Sequence, residues 1–389
     1  MVQVLEKSKL KELIIQETTD YQEIKDALEE LIYVPFVQLK LNIINEILKF
    51  YEAKLNDNAL KIKIFVSYIN RKITGIVCVQ VNPNYKSYGR NCGTFGWLYA
   101  KDFFSCKELM GRGEQFVKEQ GLKKIRGPIN FPKHLGGIGI QIDGFDKFPM
   151  YGVALSDSSF KIIEYLERLG YLKESYYSCI HVYQDFWENA EKLDKNIRLG
   201  YLSKKEFLKD RKEELLQIGK EAFGGILPDT SGSEDNLKEF AYIYSKVPDS
   251  FFTVRKEVNP SFCTKVPQIS EALESFDPKK QLLWVGVAFD KTTDEILGAG
   301  FTLPNLYQLW NGNPITQVNC DTIMIKTGQS GKGIFSALNA LGQTNFKRYG
   351  LDYVEGTSIW SNNERVMERI YPHAKLIRKH VVMQKRIKR

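Results

Sequence analysis

The sequence predicts an α+β chain built from two copies of one unit, each a mixed, mostly antiparallel sheet flanked by helices. Three matches, in the same order in both halves, carry this expectation. The return strand of a hairpin begins Lys72-Ile73-Thr74-Gly75 in one half and Glu295-Ile296-Leu297-Gly298 in the other. A helix-to-strand corner reads Gln120-Gly121-Leu122-Lys123-Lys124-Ile125-Arg126-Gly127, and again Tyr349-Gly350-Leu351-Asp352-Tyr353-Val354-Glu355-Gly356. Late helices end in Glu167-Arg168-Leu169-Gly170-Tyr171 and Glu368-Arg369-Ile370-Tyr371. The expected division is a first unit over 1–190, a helical linker over 191–233 and a second unit over 234–389.

The elements follow in order. Residues 1 to 30 carry dense charge and read as helix, broken at Tyr33-Val34-Pro35-Phe36 before a helix near 38–53. Ile62, Ile64 and Val66 alternate with polar residues, Asn70-Arg71-Lys72 turns, and Ile73 to Val79 returns, which is a hairpin. Gly93 to Ala100 is an apolar strand, with a helix near 105–120 after it. Gly121 stops that helix ahead of the strand at Ile125, and Ser158–Leu169 and Tyr176–Tyr183 read as helix and strand. A charged helical segment, Ser203 to Phe223, precedes a Gly/Ser/Pro-rich break at Gly224 to Ser233. Helices at Leu237–Lys246 and Ile269–Phe276 lead to a second hairpin, Leu282–Phe289 with Ile296–Phe301. Each unit therefore runs hairpin, strand, helix, strand, helix, strand.

Composition sets the bounds. With 389 residues, 43% hydrophobic and 26% charged, the chain is an ordinary globular one with room for two domains. Met1 to Lys7 lacks the apolar core of a leader, and no stretch approaches the ~20 apolar residues of a membrane span. A cytoplasmic protein with no membrane partner is the expectation. Six cysteines are scattered without CxxC pairs, and four histidines lie apart, so neither a metal site nor a disulfide framework is indicated. A net charge of +8 suits an anionic ligand and would permit nucleic acid. The basic end, Lys375 to Arg389, alternates with Leu376, Val381, Val382 and Met383, however, and a solvated strand face explains it more economically.

The stretch with most chemistry follows Val318-Asn319-Cys320-Asp321-Thr322-Ile323-Met324-Ile325, which reads as a strand. Next come Lys326-Thr327-Gly328-Gln329-Ser330-Gly331-Lys332-Gly333, and then Ile334, Phe335, Ala337, Leu338 and Leu341 at helical spacing. A strand turning through glycines into a helix leaves backbone N–H groups unpaired at the positive end of a dipole, which is a phosphate cradle. The alternative is a turn that needs positive φ and holds nothing. A Walker loop is excluded, because Gly328 to Gly331 is too short and Gly333 follows Lys332. The dinucleotide fingerprint fails too, with Ser336 where its third glycine belongs.

Strand, Ser330-Gly331-Lys332-Gly333-Ile334-Phe335, helix resembles the pyrophosphate loop of the GNAT superfamily of acyl-CoA N-acyltransferases, Arg/Gln-Gly-x-Gly-x-Gly/Ala. Ser330 stands for the usual Arg or Gln, and Phe335 for the last small residue. With the order of elements in both halves, the resemblance covers most of the chain and is to tandem GNAT proteins of bacteria without an assigned substrate. It implies acetyl-CoA or another acyl-CoA as co-substrate, no metal, and acyl transfer to an amine of a small molecule or peptide; a homodimer is compatible. Amides of Gln329, Ser330, Gly331, Lys332, Gly333 and Ile334 would hold the pyrophosphate, and Ile325 and Thr327 would pair with the pantetheine arm like one more strand. Asn362 sits where family members have an Asn reaching the coenzyme. Amine acylation needs a base and an acid. Asp321 and Glu355, on the two strands flanking the site, are the candidate bases, and Tyr371 is the tyrosine nearest the family's acid on the last helix.

The first half lacks the glycine turn, since Lys101-Asp102-Phe103-Phe104-Ser105-Cys106 occupies its place. It is expected to have lost coenzyme binding and to serve as a partner domain or substrate wall. Phe95, Trp97, Tyr99 and Phe103, and Tyr307 with Trp310, read as core rather than pocket. His134, in a Gly-rich loop without an evident partner, reads as incidental. Besides the acyltransferase, two function classes stay open. One is a non-catalytic GNAT-like module that binds an acyl-CoA or other ligand, and the other is a basic nucleic-acid-associated protein.

Overall fold

The computed structural model describes residues 12–34, 36–57, 59–147, 150, 155–156, 161–182, 192–223, 227–229, 234–257, 265–363 and 374–388. Its first half holds strands β1 (Leu13–Thr18), β2 (Lys61–Ile69), β3 (Lys72–Val81), β4 (Gly93–Ala100), β5 (Lys124–Gly127), β6 (Ile140–Asp143), β7 (Leu155–Ser156) and β8 (Leu172–Val182). Between them lie helices α1 (Tyr21–Leu31), α2 (Lys40–Lys54), α3 (Phe103–Glu119), α4 (Lys133–Gly136) and α5 (Ile162–Arg168). The second half holds β9 (Ile197–Ser203), β10 (Gln281–Asp290), β11 (Ile296–Pro304), β12 (Gln317–Ile325), β13 (Tyr353–Trp360) and β14 (Lys375–Arg386). Its helices are α6 (Lys212–Phe223), α7 (Glu234–Tyr244), α8 (Pro267–Glu274), α9 (Leu306–Trp310) and α10 (Ile334–Arg348).

Local chemistry accounts for the main elements. Asp20 caps α1 by accepting from the Gln22 and Glu23 amides, and Ile24, Ala27, Leu28 and Leu31 bury one helical stripe. The β2–β3 hairpin turns through Asn70 and Arg71, both at positive φ as a type I′ turn requires. Helix α10 is more deeply buried, with ten of its residues inside, because it packs against the sheet and α8 together. Phe95, Trp97, Tyr99 and Tyr307 belong to one hydrophobic core, with Trp310 half-buried against it.

All strands join one sheet, in the order β1-β2-β3-β4-β5-β14-β8-β13-β12-β11-β10-β9, with β6 against β14 and β7 against β6. Hairpin β2–β3 with β4 and β5 in the first half matches β10–β11 with β12 and β13 in the second. Both penultimate pairs are parallel, β4 with β5 and β12 with β13. At the centre the halves exchange their last strands. Strand β14 pairs with β5 of the first half, Met383 opposite Gly127, while β8 pairs with β13 of the second, Ile180 opposite Gly356.

Two stretches differ from expectation. The region expected to be helical over 1–30 contains β1, and the segment expected to be a helical linker over 191–233 starts with β9, with α6 after it. Strands β1 and β9 are the two outer edges of the sheet. An edge strand is half-solvated, so charged residues interrupt its apolar pattern and the period of two fades. The basic C-terminal segment is an interior strand, not a free tail: Arg378 is buried against Glu355, and Lys385 Nζ lies 2.8 Å from Glu114.

Candidate functional site

Strands β12 and β13 run side by side only from Gln317 opposite Tyr353 to Cys320 opposite Gly356. Beyond that point they part, β12 continuing beside β11 and β13 beside β8. Into the divergence opens a cleft of about 590 Å³, walled by residues Cys320 to Met324 of β12 and Gly356 to Trp360 of β13. At one end it includes Phe335, the second residue of α10, while Lys326 to Ile334 lie outside its lining. Residues of the first half, including Tyr85, Phe131, His134 and Tyr177, close the other side.

The edge of β12 is suited to an extended ligand. The Lys326 amide donates to Leu297 of β11 at 2.9 Å. Backbone groups alternate in direction along a strand, so those of Ile325 and Ile323 face away from β11, toward the divergence. Ile325 lies opposite Gly298 in the ladder, at the mouth of the corner. One irregularity interrupts β12: Phe301 is opposite Thr322 but Thr302 is opposite Cys320, which makes Asp321 a bulge residue. A bulge takes its residue out of the ladder and re-aims the side chain. Asp321 lines the cleft, where its carboxylate accepts from the Thr322 hydroxyl at 2.9 Å.

At the glycine corner the Gln329 amide donates to Lys326, closing a turn. Among the described residues, the amides of Ser330, Gly331, Lys332, Gly333 and Ile334 donate to no backbone carbonyl. Gly333, the N-cap of α10, has no side chain with which to cap it. Gly328, Gly331 and Gly333 all have φ near +82°, the left-handed region glycine tolerates. Thr327, Gly328, Ser330, Gly331 and Lys332 are exposed, and a Cβ on Gly331 would meet nothing within 4 Å. Gly333 is different, because a Cβ there would lie 2.0 Å from the Lys192 carbonyl oxygen. The tip of the corner is open and its base is packed. Ordered free amides at a helix start are the donor set that a diphosphate requires.

The other expected site residues fall unevenly. Glu355 is buried and does not line the cleft; its carboxylate is taken up by the Arg378 guanidinium. Asn362 is exposed in the turn after β13, and it is its neighbour Asn363 that enters the cleft wall. Tyr371 lies outside the described residues. Asp321, Ile325 and the corner thus come together along one strand and its turn, and Glu355 stands apart from them.

The first half offers an internal contrast. Strands β4 and β5 pair only at Gly93–Ile125 and Thr94–Arg126 before parting. Their divergence is bridged at once, the Ile129 amide donating to Phe95 at 2.7 Å. The register of β4 against β3 slips between Ile76 and Cys78, and Trp97 there has φ +49°, the counterpart of the Asp321 bulge. Its amide donates to Asn130 Oδ1 at 2.6 Å and its indole Nε1 to the Phe131 carbonyl at 2.9 Å. At the start of α3 the Asp102 carboxylate already caps the helix, accepting from Ser105 at 2.8 Å. Where the second half has an open edge and an uncapped helix, the first has an indole and an acid.

Two groups in the cleft wall were not legible in the sequence. Asp229 accepts from Arg126 Nε and Nη2 at 3.0 and 2.9 Å and from the hydroxyls of Tyr85 and Tyr177. Burial, and then the Asp229 carboxylate, push the Tyr177 phenol up. His134, read as incidental, has a partner after all: its Nδ1 is 3.1 Å from Glu239 Oε2, more than a hundred residues away in the chain. Only long-range pairing creates either group, and a lone sequence carries no trace of it. Among the described residues no group of three or more His, Cys, Asp or Glu side chains could hold a metal ion, and no helix is long and apolar enough to cross a membrane.

No family model matches the sequence, and no curated protein matches it significantly. Solved structures do match its fold. A tandem GNAT protein from the clavulanic acid biosynthesis pathway superposes with a TM-score of 0.52 at 8% identity, over 97% of this chain and 99% of that one. A GCN5-related N-acetyltransferase from Sphaerobacter thermophilus gives 0.50 at 11% identity, over 97% and 96%. The glucosamine N-acetyltransferase region of a fungal multi-domain β-N-acetylglucosaminidase gives 0.58 at 13% identity, over 97% of this chain and 38% of that one. At such identities the likeness concerns architecture alone, and with the paired divergent strands and the glycine corner it leads to one conclusion: the chain has a tandem GNAT-superfamily fold.

Proposed function

We propose that the protein is an acyl-CoA-dependent N-acyltransferase, with its coenzyme site in the second half and an amine of a small molecule or peptide as acceptor. One observation carries the reading: the open edge of β12 leads, without interruption, to the uncapped glycine corner. Gln329, Ser330, Gly331, Lys332, Gly333 and Ile334 hold the diphosphate by their amides, with Lys332 adding charge at the exposed tip. Ile325 and Thr327 bond the pantetheine arm as a further strand would. Bound there, an acyl-CoA supplies an activated carbonyl on a thiol leaving group. Asp321, at the bulge, draws the acceptor's ammonium into the cleft. Glu355 takes no part there, since its charge is spent on Arg378. Asn362, in the turn after β13, and Tyr371 as acid belong to the same proposal. The first half, with Asp102 at its helix start and Asn130 on its bulge amide, holds no coenzyme and serves as the acceptor wall.

Acetyl-CoA at a hundred times its Kd should stabilise the protein by about 2.7 kcal/mol, or about 3 °C in Tm for a chain this long. Gly331→Asp, placing a carboxylate at the open tip, should abolish the shift and leave the unliganded Tm within a few degrees. A wild-type protein whose Tm ignores millimolar acetyl-CoA would end the proposal. The commitment of Glu355 to Arg378 favours one second reading, a module that binds an acyl-CoA without turnover. It requires the Tm shift with no thiol released across an amine panel.

A further inference from the structure

The segment that fills the first half's divergence also presents a side chain to the second half's cleft. Asn130 Nδ2 donates to the Gly136 carbonyl at 2.7 Å while its Oδ1 holds the Trp97 amide, and Leu135 is buried in the core. Helix α4, between these anchors, is thereby fixed, and its His134 stands in the wall of the 590 Å³ cleft. Glu239 of α7 stands in the same wall and meets His134 Nδ1 at 3.1 Å. With Nδ1–H donating to this carboxylate, the lone pair is on Nε2, the arrangement that orients an imidazole as a base.

We propose that His134, oriented by Glu239, takes the proton from a primary ammonium group carried on an apolar body, which makes the acceptor site a joint product of the two halves. The inference rests on the acyltransferase reading above. In the step, the N–H bond of the ammonium breaks, its electron pair stays on nitrogen, and the proton forms a bond to Nε2; the imidazolium so formed is stabilised by the Glu239 carboxylate. An imidazole suits this better than Asp321 does. Glu239 holds the His134 ring by Nδ1 at 3.1 Å, whereas the Asp321 carboxylate already accepts from the Thr322 hydroxyl at 2.9 Å. Phe131, Phe223, Phe240, Phe301 and Trp360 give the same wall its apolar character and set the class of amine. The other titratable groups there are Tyr85, Lys86, Tyr177, Lys220, Asp229 and Asp321, with the Cys320 thiol. Burial pushes the phenols of Tyr85 and Tyr177 up, so neither changes charge where an imidazole does.

The full chain would be titrated with 2-phenylethylamine while imidazole resonances are followed by NMR, the His134 signal being assigned by its loss in His134→Gln. That signal should shift as the amine binds. With acetyl-CoA present, thiol release should fall about 100-fold in His134→Gln. Glu239→Gln should lower the rate as well, and Glu239→Asp, which keeps the carboxylate, should recover most of it. Both His134→Gln and Glu239→Gln should keep the acetyl-CoA Tm shift, which separates lost chemistry from lost folding. A His134 signal indifferent to the amine, a His134→Gln rate within about two-fold of wild type, or a preference for glucosamine over 2-phenylethylamine would overturn the inference while leaving coenzyme binding intact. Absence of any acetyl-CoA shift would instead remove the acyltransferase reading, and this inference with it.

Discussion

Arg378 bears on two buried residues, Glu355, whose carboxylate it holds, and His380, whose charged form it disfavours. Removing the Glu355 charge takes the carboxylate from a buried guanidinium, which costs about 3–5 kcal/mol. Glu355→Gln should therefore lower the midpoint of denaturant unfolding sharply, and pairing it with Arg378→Met should recover much of the loss. A catalytic Glu355 would behave in the opposite way, losing rate at little cost in stability. His380 is buried, and that burial, followed by the Arg378 charge, pushes it down to about 3. Unfolded, an imidazole titrates near ~6.5. Between those pH values the unfolded chain holds a proton that the folded chain does not, so stability rises with pH there and is complete above pH ~6.5. Unfolding free energies measured from pH 3.5 to 6.5 should carry a slope of up to about 1.4 kcal/mol per pH unit from this group, absent in His380→Gln. Neither residue's role was legible in the sequence. Glu355 sat on the expected strand, but its inward partner comes from the last strand of the chain, and no local pattern could supply it.

At the scale of elements, the glycine corner was legible because its ingredients are local: a β-branched strand, glycines able to take positive φ, then apolar residues at helical spacing. What the sequence could not distinguish is which glycine serves the ligand and which serves the packing. Gly331 has open space around its missing side chain, whereas Gly333 faces the Lys192 carbonyl. Gly331→Ala should cost only the ~1–2 kcal/mol of a left-handed non-glycine residue. Gly333→Ala adds a backbone clash and should unfold at markedly lower temperature, a contrast two melting curves would settle. Gly333 variants are consequently poor probes of coenzyme binding. Helix α3 supplies the complementary test. Asp102→Ala removes a cap worth about 1 kcal/mol, yet should create no acetyl-CoA shift of its own in a Gly331→Asp background, because the Asn130 side chain still occupies the bulge amide. The edge strands β1 and β9 escaped the sequence for the reason that the corner did not: their pairing partner, rather than their own pattern, makes them strands.

At the scale of the whole molecule, the duplication was legible and the exchange of last strands was not. Short matches repeat wherever the unit repeats, but a strand's neighbour is a fact about the assembled sheet. Strand β14 carries the buried residues Val381, Val382 and Met383 between β5 and β8. A chain ending at residue 374 should thus lose more than its second unit. It should expose the edges of β5 and β8, bind the hydrophobic dye ANS, and fail to give the single cooperative melt expected of the full chain.

Synthesis runs from the amino end, and the seam at the centre of the sheet needs residues 375–386, which leave the ribosome after every other described strand. Most of the first unit's residues are available early, yet β5 waits for a neighbour that is made only after β9 to β13. Arrested nascent chains should accordingly remain protease-sensitive around residues 124–127 until β14 emerges, and the two units should reach their protected state together rather than in sequence.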